Sequence, residues 1–141
     1  MIWVVDTCVI LDVLDNHPDF AKVSSQALQS KLDEVLVVAP VTYVELAPAF
    51  NGDIAAQDGF LDALWIQRDF GGDKAIVLAA HNAWNEHIKR KRTGAEKKRP
   101  IADVMIGAYA LQKGGLITRN EADFRSLFPT LTIFNPASLM P

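Results

Sequence analysis

Cysteine is almost missing from this chain. Cys8 is the single one in 141 residues, so no internal disulfide can form, and a reducing compartment is expected. Histidine is also scarce. His81 and His87 lie six apart, whereas zinc ligands on a helix want spacings of three or four, so neither is read as a ligand. No apolar run approaches the roughly 18 residues of a membrane span. The N-terminus does not read as a signal peptide, because Asp6 and Asp12 interrupt it and the first basic residue is Lys22. Repeats, low-complexity tracts and linker-like stretches are missing as well. These absences point to one cytoplasmic domain over residues 1–141, without membrane contact.

Half of the residues are hydrophobic. A chain of this length buries roughly 70% of its unfolded surface, enough for a core that needs no cross-link. The net charge of −3 conceals an asymmetry. Residues 89–99 hold Lys89, Arg90, Lys91, Arg92, Lys97, Lys98 and Arg99 against one acid. That segment is +6, which leaves −9 for the remainder of a chain at −3. A basic strip on an acidic body suits a protein that grips phosphates with the strip while cations neutralise acids elsewhere. Taken alone, the strip is equally a solvated helix end.

Short apolar runs alternate with helical patterns. Residues 2–6 and 35–39 read as buried strands, and Leu116–Thr118 and Leu131–Phe134 as two further short ones. Thr7 can cap a helix whose apolar face is Val9, Ile10, Val13 and Leu14; Asp6 can also serve as that cap. Pro18 suits the first turn of a second helix ending near Ser30. Further helices are expected over 41–50 (disturbed at Pro48), 54–65, 73–91 and from Pro100 to the stop at Gly114-Gly115. This order predicts a three-layer α/β/α sandwich with a mostly parallel central sheet.

Four carboxylates fall near the ends of the strands. Asp6 ends Ile2-Trp3-Val4-Val5, Glu45 lies one helical turn past the second strand, Asp103 opens a helix, and Asp123 follows Leu116-Ile117-Thr118. Glu45 stands among apolar residues, where an unpaired charge is costly. In open α/β sheets, ligands bind beyond the carboxyl ends of the strands. Acids collected there suit hard divalent cations such as Mg²⁺ or Mn²⁺, which take oxygen ligands and complete their shell with water and phosphate. Cys8 reads as a structural thiol, and Trp3, Trp65 and Trp84 as core or dimer contacts.

The ordered set Asp6-Thr7-Cys8-Val9-Ile10-Leu11-Asp12, Val44-Glu45-Leu46, Ile101-Ala102-Asp103-Val104-Met105-Ile106-Gly107-Ala108 and Ile117-Thr118-Arg119-Asn120-Glu121-Ala122-Asp123-Phe124, closed by Phe134-Asn135-Pro136, resembles a PIN domain. Within that family it is most similar to the VapC-type toxins of bacterial toxin–antitoxin pairs. The resemblance spans essentially the whole chain. It implies an endoribonuclease dependent on Mg²⁺ or Mn²⁺, a homodimer, and inhibition by a cognate antitoxin protein. It makes Asp6, Glu45 and Asp103 metal ligands, with Asp123 completing the pocket directly or through water. Thr7 and Thr118 supply hydroxyls nearby, and Asn120 serves as substitute or helper for the fourth acid. The basic strip, with Arg119, is expected on the RNA backbone. The chemistry implied is hydrolysis: a water, deprotonated with help from a carboxylate, attacks phosphorus in line and leaves 5′-phosphate and 3′-hydroxyl ends.

Other acid-rich folds fit less well. A haloacid dehalogenase-type phosphatase needs a second Asp two residues after the first, where Cys8 stands. A receiver domain needs a lysine beyond a late strand, where Asn135-Pro136 follows. Two readings stay open beside the toxin: a non-catalytic RNA-binding or interaction module, and a PIN nuclease of RNA processing. Metal dependence separates the first from an enzyme.

Overall fold

The sheet is built from runs of three or four residues, mostly branched and apolar. A computed structural model describes residues 1–71, 75, 76, 79, 81, 83 and 101–141. Its strands are β1 (Ile2–Val5), β2 (Val35–Val38), β3 (Ile66–Arg68), β4 (Gly114–Ile117) and β5 (Thr132–Phe134). They lie in the order β3-β2-β1-β4-β5, and every neighbouring pair is parallel. Parallel strands require crossovers, supplied here by α1 (Thr7–Leu14), α2 (Ala21–Gln29), α3 (Pro40–Glu45), α4 (Ile54–Ala63), α5 (Ile101–Lys113) and α6 (Glu121–Leu127). Of the helix expected over 73–91, Ala75, Ile76, Ala79, His81 and Ala83 are helical. Its other residues lie outside the described ones.

Alternation along each strand sends side chains to opposite faces, so one sheet feeds two cores. Val4, Val37 and Leu116 meet Val104, Ile106, Ala108, Tyr109 and Phe124 of α5 and α6 on one side. Trp3, Val5, Leu36, Val38 and Ile117 meet Val9, Ile10, Ala27, Leu28 and Leu61 of α1, α2 and α4 on the other. This is the three-layer α/β/α sandwich that the sequence predicts. Each fully buried aliphatic side chain contributes about 1.5–3 kcal/mol, and the sheet buries several on each face.

Several local expectations change. Pro18 does not open a helix; α2 starts at Ala21. Asn16 takes a left-handed φ of 49°, and His17 Nδ1 accepts the amides of Asp19 and Phe20, so residues 18–20 form a turn. The helix expected over 41–50 divides into α3 and a 3₁₀ turn at Ala47–Phe50, where Pro48 cannot continue the α-helical ladder. Gly114 and Gly115 start β4 as well as following α5. A Cβ at Gly114 would lie 2.6 Å from the Ile2 carbonyl oxygen, and one at Gly115 would lie 2.6 Å from the Trp3 ring. Close approach to β1 therefore requires glycine at both positions. Trp65 is 74% exposed and belongs to neither core.

Candidate active site

β1 is the central strand, pairing with β2 on one side and β4 on the other. The chain moves outward in both directions from it, so the β1/β4 crevice is the switch point where open α/β sheets place ligands. Asp6 and Thr118 stand at the two carboxyl ends that frame this crevice, each following its strand directly.

Asp6 is the N-cap of α1, taking an extended φ of −69° and ψ of 149°. Thr7, the other candidate for that cap, is the first helical residue. Asp6 is 3% exposed and fully engaged with neutral donors. Oδ1 accepts the Thr7 amide at 2.8 Å, and Oδ2 accepts the Thr118 hydroxyl at 2.7 Å and the Cys8 thiol at 3.3 Å. Burial raises its proton affinity above the ordinary 3.8, against the opposing pull of those bonds and of the Arg119 charge. Cys8 is pushed up to about 12, first by burial and then by the Asp6 charge, so it is an inert thiol.

Thr7 joins Asp6 to the next acid. Its hydroxyl lies 2.8 Å from Glu45 Oε1 and 3.1 Å from Oγ1 of the fully buried Thr42. Glu45 itself is exposed at the end of α3, beside Val44 at 70% exposure. Of its apolar neighbours only Val44 shares that exposure; Leu46 is fully buried, and Val41 and Tyr43 pack against the cores. α3 packs against α5, whose first turn carries the half-buried Asp103, and α5 packs against α6, whose first turn carries the half-buried Asp123. Among the described residues no group of three or more His, Cys, Asp or Glu side chains is arranged to hold a metal ion. The pair linked by Thr7 still suits one. Mg²⁺ commonly takes only one or two carboxylates and keeps several waters. Asp6 is a buried hard-oxygen donor, and the hydrogen bonds it accepts all come from uncharged donors.

A model of the PIN domain family matches residues 3–127. The chain belongs to the PIN domain family. No curated protein matches it in sequence. Among solved structures, VapBC-1 from nontypeable Haemophilus influenzae is similar, with a TM-score of 0.69 and 22% identity over 97% of this chain and 99% of that one. VapBC2 from Rickettsia felis, bound to a DNA fragment from their promoter, gives 0.68 and 17% over 96% and 98%. FitAcB from Neisseria gonorrhoeae gives 0.67 and 22% over 99% and 100%. At such identities the likeness establishes the fold.

The remaining expected residues of this PIN domain are placed as follows. Asn120 precedes α6 without a side-chain cap bond, and its amide donates to Thr118 Oγ1 at 3.0 Å. Arg119, expected on RNA, forks onto Asp12 through Nε at 2.6 Å and Nη2 at 2.9 Å. Lys89, Arg90, Lys91, Arg92, Lys97, Lys98 and Arg99 lie outside the described residues, as do His87 and Trp84. Asp12 and Thr42 were missed. Asp12, like Glu45 an acid inside an apolar run, Val9-Ile10-Leu11-Asp12-Val13-Leu14, is the one of the two that is buried. An open groove lined by Asp62, Trp65, Ile66, Gln67, Arg68 and Phe70 runs along the β3 edge and shares no residue with the acids. No helix among the described residues is long and apolar enough to cross a membrane.

Proposed function

We propose that this PIN domain is an endoribonuclease dependent on Mg²⁺ or Mn²⁺, and the toxin of a toxin–antitoxin pair. The observation that carries the reading is Asp6, a buried carboxylate at the β1/β4 switch point, tied to Glu45 through Thr7, whose amide donates to Asp6 and whose hydroxyl donates to Glu45. Family membership and whole-chain likeness to VapBC and FitAcB structures support it. In this reading the partner is an antitoxin protein and the active form a homodimer.

Asp6 and Glu45 hold the cation, and Asp103 and Asp123 complete the acidic face from the first turns of α5 and α6. A divalent ion held there would supply the means to activate water and to offset charge at phosphorus. Thr7 and Thr118 orient the two ligands, and Asn120 fixes Thr118. Glu45, exposed and hydrogen-bonded, is placed to accept a proton from the attacking water. The basic residues of 89–99 contact backbone phosphates on the substrate. RNA preference then comes from the shape and presentation of single-stranded loops.

The test is incubation of the purified protein, freed of any co-purifying partner, with structured RNAs including tRNA. Mg²⁺, Mn²⁺ and EDTA are compared, with Asp6→Asn in parallel. Cleavage that needs metal, leaves 5′-phosphate ends and is lost in Asp6→Asn is expected. RNA binding without cleavage under every metal, equal in both proteins, would establish a binding module instead.

A further inference from the structure

A second buried carboxylate lies six residues along α1 from the first. Asp12 is 3% exposed, and three donors converge on it: Arg119 Nε at 2.6 Å and Ser24 Oγ at 2.8 Å on Oδ2, and Arg119 Nη2 at 2.9 Å on Oδ1. The guanidinium lies 4.0 Å over the Phe20 ring. Arg119 is thus fixed in two dimensions by the fork and in the third by the stack.

Stability alone does not explain this arrangement. A buried ion pair is often no more stabilising than apolar side chains of the same volume, because both charges leave water. What the pair does fix is the β4–α6 connection. Arg119 stands between Thr118 and Asn120, and its anchor on α1 holds that connection against the helix that Asp6 caps. The Thr118 hydroxyl has one proton. Its oxygen accepts the Asn120 amide at 3.0 Å, so the proton goes to Asp6 Oδ2 at 2.7 Å. Displacement of residue 119 moves both bonds.

We propose that Arg119, clamped on Asp12, is a positioning residue that holds the Thr118 hydroxyl against Asp6 and thereby sets the cation affinity of Asp6. The inference rests on the metal-dependent reading given above. It takes Arg119 away from the substrate and makes Asp12 part of the site's support. Supporting partners that orient a metal ligand typically matter by roughly 10- to 100-fold in metal affinity.

The experiment is titration of the whole chain with Mn²⁺, followed by the electron paramagnetic resonance of the free ion, with thermal melts of each protein in EDTA. Arg119→Gln alone strands the Asp12 charge, so it is combined with Asp12→Asn, which keeps a neutral hydrogen-bonded pair. That double variant is expected to bind Mn²⁺ roughly tenfold more weakly. Arg119→Lys, which keeps the charge without the fork, should lie between it and wild type. With Thr118→Val already present, the neutral pair should lower affinity no further, since Arg119 acts through that hydroxyl. Wild-type Mn²⁺ affinity in both the neutral pair and Arg119→Lys, whatever their melting temperatures, would reduce the ion pair to a structural role and overturn the proposal. Asp6→Asn separates the two levels. If it binds Mn²⁺ as wild type does, the metal reading falls and the positioning role with it. If it alone loses Mn²⁺, only the positioning role falls.

Discussion

Thr118 and Asp6 are 112 residues apart in sequence and 2.7 Å apart in space, hydroxyl to carboxylate. The bond crosses the crevice between β1 and β4, and it is fully buried on the threonine side. Thr118→Val keeps the shape and removes the hydroxyl, leaving the Asn120 amide and Asp6 Oδ2 each short of a partner. A loss of about 1–3 kcal/mol is expected, read from the urea midpoint at constant slope. An unchanged midpoint would mean that water or a neighbour replaces the hydroxyl.

Burial raises Asp6, so its protonated form favours the fold. That contribution is whole below the unfolded value of 3.8 and is lost as pH rises through the raised folded value. Compared with Asp6→Asn, the metal-free protein should therefore lose stability with rising pH across that window. A divalent cation reverses the loss: at about 100 times its dissociation constant it adds about 2.7 kcal/mol, most at neutral pH and least where protons compete. Melting curves with Mg²⁺ and with EDTA, from pH 4 to 8, check this. A melting temperature that ignores Mg²⁺ throughout contradicts it.

How much of this was legible in the sequence depends on the reach of each interaction. Strands β1, β2, β4 and β5 announced themselves as apolar runs bounded by turn residues, and the α/β/α class followed from their alternation with helices. β3 did not, because Ile66-Gln67-Arg68 offers one apolar residue at a sheet edge. The position of Asp6 at the carboxyl end of β1 was legible because the end of an apolar strand is a local fact. The exposure of Glu45 and the burial of Asp12 were not legible. Both are acids among apolar neighbours, and only the packing of α1 against α2 and the distant Arg119 decides which one goes inside.

On the far side of the sheet Tyr109 donates its hydroxyl to Asp69 at 2.6 Å. That bond holds Asp69 below its ordinary 3.8. Its stabilisation is present above the unfolded value and is lost as pH falls through the lowered one. Tyr109→Phe should cost about 1 kcal/mol at neutral pH, Asp69 being partly exposed and screened. The deficit should close as the pH falls below 3.8. A deficit independent of pH would assign the loss to packing.

Gly107 of α5 lies against α6 and the turn after it. A Cβ there would stand 2.6 Å from Phe128 Cδ2 and 3.2 Å from Phe124 Cδ1. Gly107→Ala raises helix propensity by roughly 1 kcal/mol, yet overpacking at this seam costs about 1–3 kcal/mol. A net loss in chemical denaturation is expected. A gain would mean that the Phe128 ring moves aside freely.

Trp65 adopts a left-handed φ of 61° while 74% exposed. A side chain there costs about 1–2 kcal/mol relative to glycine, and little burial offsets it. Trp65→Gly is expected to raise stability by about 1 kcal/mol, measured by urea unfolding. Destabilisation would show that the indole makes contacts worth more than the strain.

The separation of Asp6 and Thr118 along the chain has a bearing on biosynthesis. Asp6 leaves the ribosome well before the hydroxyl that seats it, which follows 112 residues later. Until β4 is made and slots in beside β1, Asp6 is an ordinary hydrated carboxylate. The surroundings that raise its proton affinity are therefore assembled only after residue 118 has been added.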